Sequence, residues 1–396
     1  MKKKITVGTT CIVVLLAVLL TFQLTYSFVG IEYQAKVDSL TKTQSDFSLL
    51  AQADGLIREN FYGNFDDERV ESGLISGYLS ALTDPYSRYL SAEEYARTQR
   101  ERSPSGNGIG VRLTWDATEK KIYICDIVEN SPAAEEGLAI GDEILEINGV
   151  SAKELGFYGV LASLSGEEGT EVKLKVQRKV STQMIETSYT PKIAKINANF
   201  VSWEWLDNST AYLRIYSFEK GCEKEFKSVL EAIKTSGGTG VVIDVRNTSE
   251  GEASVALKML DQLLPEGVMV RTTDGKGNIK EIKSDKNGIV LNIALLINEN
   301  SSFAAEIFAS VLKDFDAATL VGKTTYGKSI GQKVLELDDG SALILSNITY
   351  TPPISPSFEK IGVKPDIECD LTVENFYAVD KKEDSQIAKA FSALQG

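Results

Sequence analysis

The 396-residue chain contains no histidine. That absence excludes a Ser-His-Asp triad and any His-ligated metal site, so serine chemistry here would have to take lysine as its base. Cysteine is scarce, with four in the chain. Cys11 lies in an apolar run, and Cys125, Cys222 and Cys369 stand far apart without metal-type spacing, so neither a disulfide framework nor a metal centre is implied. Basic charge is outnumbered, 42 Lys and Arg against 56 Asp and Glu, for a net charge of −14. Such a surface repels nucleic acid and anionic lipid, which leaves proteins as the expected partners and no cofactor.

One apolar run, residues 5–24, has about the ~20 residues that cross a bilayer core. Lys2, Lys3 and Lys4 precede it, which predicts a short tail inside and the remainder outside. A cleaved signal peptide is the alternative, but the run is long for one and no A-x-A-like site follows Leu24. The expected localisation is the cell membrane, single-pass, with the bulk of the chain extracytoplasmic. The expected organisation is a tail and anchor over 1–27, a helical module over 28–102, a β-rich domain over 103–180, an α/β core over 181–380 and a C-terminal helix over 381–396.

The helical module rests on apolar spacing from Leu49 to Leu79, and it ends at Asp84-Pro85-Tyr86-Ser87-Arg88-Tyr89-Leu90. Pro85 disfavours helix at the residue before it. A linker rich in Gly, Ser and Pro then opens onto Gly108-Ile109-Gly110-Val111. Alternating strands, Ser131-Pro132-Ala133-Ala134, Gly141-Asp142-Glu143-Ile144-Leu145 and Ile147-Asn148-Gly149 follow. Together these turns resemble a PDZ domain. Backbone N–H groups around two glycines can hold a terminal carboxylate, and an exposed strand edge can pair with a peptide. The helix over 154–164 would line the side-chain pocket through Val160, Leu161 and Leu164, although each fits a plain core position equally well.

The chemistry is decided between Asn298 and Gln332. An apolar strand over 293–297 gives way to a polar turn and to a helix from Ala304, where free N–H groups can stabilise an oxyanion. A glycine-punctuated segment with Lys323 and Lys328 follows. This stretch resembles the carboxyl-terminal processing peptidases, or tail-specific proteases, which use a serine and a lysine. The family's nucleophile lies in N-x-x-S-A-S-A-S-E and its lysine in G-K-x-x-x-Q. Asn298, Glu306, Lys328 and Gln332 match those positions without a gap, and the nucleophile position falls on Phe303.

Phenylalanine cannot attack a carbonyl. Ser302 and Ser301 are adjacent, but one residue at a helix start turns a side chain by about 100°. Family members read D-L-R-x-N-P-G-G in the turn that donates an oxyanion-hole N–H; here Ser249 and Glu250 interrupt it before Gly251. A carboxylate from Glu250 would oppose a developing oxyanion, while a plain surface loop is the bland reading. The resemblance assigns Lys328 and Gln332 to the retained dyad support and the N–H groups of Ala304 and Gly251 to the oxyanion hole. It also implies crotonase-like and Clp-protease-like ββα layers, and assembly as a homodimer or with an active paralogue. Two functions compete: an anchored pseudoprotease that captures the C-terminal tails of extracytoplasmic or membrane proteins, or a residual serine peptidase using Ser302 or Ser301 with Lys328. A purely structural envelope protein is a third.

Overall fold

The computed structural model describes residues 47–101, 106–116, 121–180, 183–196, 199–249, 251–285, 288–370 and 381–395, with scattered helical positions between 15 and 29. The apolar run over 5–24 and Glu250 therefore lie wholly or largely outside the described residues. Among the described residues no helix is long and apolar enough to cross a membrane.

Two compact units divide at Gly73 and Leu74. The first contains α1 (Ser48–Asn60) and the start of α2 (Asp67–Ser80). Arg58 joins them, with Nε on Asp54 at 2.9 Å, Nη2 on Asp67 at 2.6 Å and the guanidinium 4.1 Å from the centre of the Phe65 ring. Helix α1 buries none of its residues.

The second unit takes the rest of α2 and continues with β1 (Arg88–Leu90) and α3 (Ala92–Glu101). A β-rich body follows: β2 (Asn107–Gly108), β3 (Val111–Asp116), β4 (Lys121–Ile127), α4 (Pro132–Glu136), β5 (Glu143–Ile147), β6 (Val150–Ser151), α5 (Ala152–Ser163), β7 (Leu174–Val180), β8 (Gln183–Tyr189) and β9 (Ala194–Lys195). Its sheet runs β3-β4-β5-β7-β8, so β3 is an edge strand. Ser131 caps α4, with Pro132 opening it and Gly137 in the left-handed conformation closing it. Gly110, at φ 85°, must be glycine, because a Cβ there would lie 2.2 Å from that of Ser131.

The remaining elements are β10 (Val201–Trp205), β11 (Thr210–Ile215), α6 (Cys222–Thr235), β12 (Gly240–Asp244), α7 (Ala253–Asp261), β13 (Gly267–Asp274), β14 (Ile279–Ser284), β15 (Asn292–Ile297), α8 (Ala304–Asp314), β16 (Thr319–Gly322), β17 (Ile330–Glu336), β18 (Ala342–Thr351), β19 (Ile367–Glu368) and α9 (Ser385–Ala393). One sheet has the order β10-β11-β12-β15-β16-β19 and is parallel from β11 onward. Both its faces are covered. Val241, Ile243, Ile293, Leu295 and Ile297 pack under α6, α7 and α8, while Val242, Ala294 and Leu296 meet Ile387 and Ala390 of α9. Burial on both faces explains why these strands read as continuous apolar runs. A second sheet joins β14, β13, β18, β17 and β1. Through β1 the Asp84–Leu90 motif becomes part of this sheet, with Arg88, Tyr89 and Leu90 opposite Ile344, Leu343 and Ala342.

A buried ion cluster sits where β12 ends. Asp244 accepts from Arg246, from Arg214 at 2.7 Å and from the Tyr212 hydroxyl at 2.7 Å, while Arg246 reaches Asp384 of the α9 cap at 2.9 Å. Burial opposes ionisation of Asp244, but the Arg246 and Arg214 guanidinium groups outweigh it and hold the carboxyl far below the usual carboxylate range. A depressed carboxylate contributes stability that is complete above its unfolded pKa of about 4 and is lost as pH falls toward the folded value. Asp244→Asn should therefore cost about 3–5 kcal/mol near neutral pH by stranding buried cations. Denaturant unfolding should show that deficit narrowing below about pH 4.

Candidate functional site

The sequence places its catalytic stretch at the C-terminal edge of the parallel sheet. Strand β15 ends at Ile297, the chain turns through residues 298–303, and α8 begins at Ala304. Asn298 shapes the turn. Its Oδ1 accepts from the Asn247 N–H at 2.8 Å and the Asn300 N–H at 3.2 Å, and its Nδ2 donates to Asn247 Oδ1 at 2.9 Å. Ser302 N–H donates to Thr248 O at 3.0 Å, which fastens this turn to the one that follows β12.

Phe303 occupies the N-cap of α8 with φ 49° and ψ −96°. Positive φ is unfavourable for a bulky side chain and costs about 1–3 kcal/mol, and it is the kind of sharp strand-to-helix bend that lifts a nucleophile above a sheet. The half-buried ring packs edge-on to Tyr350, centroids 5.8 Å apart and planes at 77°. Ser301 is fully buried; its Oγ donates to Val245 O at 2.8 Å and accepts from Asn298 N–H at 3.0 Å. That hydroxyl is committed to the turn. Ser302 is partly buried, and the N–H of Ala304 belongs to the first helical turn, which leaves donors without intrahelical acceptors. Gly251, at φ 122°, lies against the Phe218 backbone, where an added Cβ would come within 2.5 Å.

Lys328 Nζ donates to Gln332 Oε1 at 2.9 Å and lies 5.1 Å from the centre of the Tyr86 ring and 5.7 Å from that of Phe303. Gln332 Nε2 in turn donates to Tyr86 O at 2.7 Å. Tyr86 is fixed by a bond from its hydroxyl to Glu359 at 3.0 Å. The D-P-Y-S segment thus orients the glutamine that orients the lysine, across 246 residues. The Phe303 side chain presents its ring to the ammonium.

Glu306 holds the two halves together. Its carboxylate is fully buried and accepts from Thr325 Oγ1 at 2.6 Å, Gly327 N–H at 2.5 Å, Lys328 N–H at 2.8 Å and Phe303 N–H at 3.0 Å. Burial pushes its carboxyl above the ordinary carboxylate range, opposed by these donors, the Thr325 hydroxyl first. Four donors fill an ionised carboxylate's acceptor sites. The motif spacing marked Glu306 as a matching position; the clamp itself joins residues up to 22 apart and was not legible.

In the β-rich body, Ile109, Val160 and Leu164 fill the core at 1%, 0% and 5% exposure, and Val111 and Leu161 are partly exposed. Gly108 pairs with Ala194 and bridges Ser165. The Ile109 carbonyl accepts from Ala133 N–H and the Gly110 carbonyl from Val128 N–H, both at 2.9 Å. Across a trans peptide the N–H points opposite its carbonyl, so the N–H groups of Gly110 and Val111 turn away from these partners. Among the described residues no cluster of Cys, Asp and Glu side chains is placed to hold a metal ion.

Strand edge, glycine loop, elbow and lysine segment define a serine-peptidase scaffold that carries a PDZ module. The chain is similar to the C-terminal processing peptidases: residues 209–369 match the model of peptidase family S41, residues 107–188 that of the PDZ domain, and residues 20–94 that of the activating protease CtpB N-terminal domain. It is 29% identical to the carboxy-terminal processing protease CtpA of Bacillus subtilis over 84% of this chain and 71% of that one. To the carboxyl-terminal-processing protease of Synechocystis it is 26% identical over 86% and 81%. Its fold is similar to that of the photosystem II D1 C-terminal processing protease, with a TM-score of 0.59 and 25% identity, covering 78% of this chain and 84% of that one.

Glu306→Gln keeps the size but turns an amide NH2 toward N–H and O–H donors. It should lower stability by about 1–3 kcal/mol, measured by thermal or denaturant unfolding.

Proposed function

We propose that this chain is a proteolytically inactive member of its family that captures the C-terminal tails of extracytoplasmic or membrane proteins. The observation that carries the reading is the Phe303 ring at the head of α8, 5.7 Å from Lys328 Nζ, where the chemistry needs a hydroxyl. An aromatic face stabilises an ammonium, by about 0.5–2 kcal/mol, so it favours the charged lysine over the neutral base that would take a proton. The Gly110 and Val111 N–H groups and the free edge of β3 support capture of a tail, with the carboxylate on the N–H groups and the backbone along the strand. Anchoring by residues 5–24 would put this capture at the outer membrane face, the core being read as crotonase-like and Clp-protease-like ββα layers. A homodimer, or a pairing with an active paralogue, is the assembly this reading favours.

The alternative is a residual peptidase using Ser302, since Ser301 is bound into the turn. One experiment separates them. The chain from Phe28 onward should leave an unfolded substrate with an apolar tail intact, Phe303→Ser should gain cleavage, and adding Lys328→Ala should abolish it. Loss of the nucleophile in a serine protease costs on the order of 10⁶ in turnover, which sets the scale of the expected gain. Cleavage by the unmodified chain would overturn the reading in favour of Ser302. Capture is checked separately by calorimetric titration with an apolar-tailed peptide, whose binding should weaken about tenfold or more when its carboxylate is amidated.

A further inference from the structure

Arg112 belongs to the edge strand β3, yet its side chain reaches from the PDZ sheet to the peptidase core. Its Nε pairs with Asp126 of β4 at 3.2 Å, its Nη2 donates to Asn199 O at 2.9 Å, and its guanidinium lies 3.9 Å from the centre of the Tyr216 ring, just beyond β11. Arg214 lies on the same ring, at 5.6 Å. Tyr216 is itself held, its hydroxyl 3.0 Å from Ser202 Oγ and its N–H on Phe200 O at 2.9 Å. Arg214 is rooted in the core through Asp244 and the Arg246 carbonyl. Two like charges share one ring because each has its own carboxylate, Asp126 on one side and Asp244 on the other.

We propose that Arg112, Tyr216 and Arg214 form a clasp that docks the PDZ edge strand on the peptidase core. An arginine face over a tyrosine ring is directional and weakly hydrated, so it fixes orientation where an exposed ion pair would not. Because Arg112 is part of β3, domain docking and the peptide-receiving edge are properties of one strand. The clasp stands on this geometry alone and does not require that the PDZ domain bind a tail.

Cys125 supplies a native reporter. It follows buried Ile124 in β4 beside Asp126 and is partly buried. Burial pushes its thiol up to about 12, with Arg214, Asp126 and Arg112 also acting on it, so its reaction with a maleimide should be slow while the clasp is closed. Cys222, buried against Met259 at 3.7 Å in the core, is the control. In the whole chain, with labelling followed site by site by mass spectrometry, Arg112→Met and Tyr216→Leu should each speed Cys125 modification about tenfold. That corresponds to about 1.4 kcal/mol. The double variant should be no faster than either, since both remove the same contact, and Tyr216→Phe, which keeps the ring, should stay near the native rate. Unchanged labelling, effects that multiply in the double variant, or an equal acceleration at Cys222 would each overturn the clasp.

Discussion

The site depends on one buried carboxylate. Glu306 projects from the first turn of α8 and gathers donors from both segments that make the dyad in this family: the Phe303 N–H on one side, and Thr325, Gly327 and Lys328 on the other. A buried charge is tolerated only when its acceptor sites are filled, and here the backbone fills most of them. The clamp grips main-chain N–H groups, so it is indifferent to the side chain at position 303. That indifference is why the elbow, the lysine segment and the Gln332–Tyr86 support coexist with a residue that cannot act as a nucleophile.

Phe303 retains the geometry of the turn while changing its electrostatics. Its backbone takes the unfavourable bend, and its ring packs against Tyr350 and beside Lys328. The lysine is thereby held between two aromatic rings and an amide oxygen. A serine at the same bend would present a hydroxyl in place of the ring.

The sequence carried the order of elements well because the patterns are local. The strand before the elbow and α8 follow from apolar period and glycine placement, and the PDZ turns, Lys328 and Gln332 from resemblance to family motifs. What lay outside its reach joins distant residues: Tyr86 to Gln332, Glu306 to the lysine segment, and Asp84–Leu90 to the second sheet. The groove positions Ile109, Val160 and Leu164 show a different limit. A helix or loop residue facing a pocket and one facing the core recur with the same period, and these three pack inward. A strand such as β14, mostly polar and mostly exposed, leaves little periodic signal.

The cap of α9 has a consequence for how the chain acquires its shape. Asp384 accepts from the N–H groups of Gln386 and Ile387 and, 138 residues downstream of its partner, from Arg246. Ile387 and Ala390 also close one face of the parallel sheet. During synthesis, strands β11, β12, β15 and β16 therefore emerge with that face uncovered and with Arg246 short of an acceptor. The turn behind the elbow reaches its final state only when the last helix arrives, so maturation of this scaffold is a late event in the life of the nascent chain and exposed to whatever competes for its open sheet.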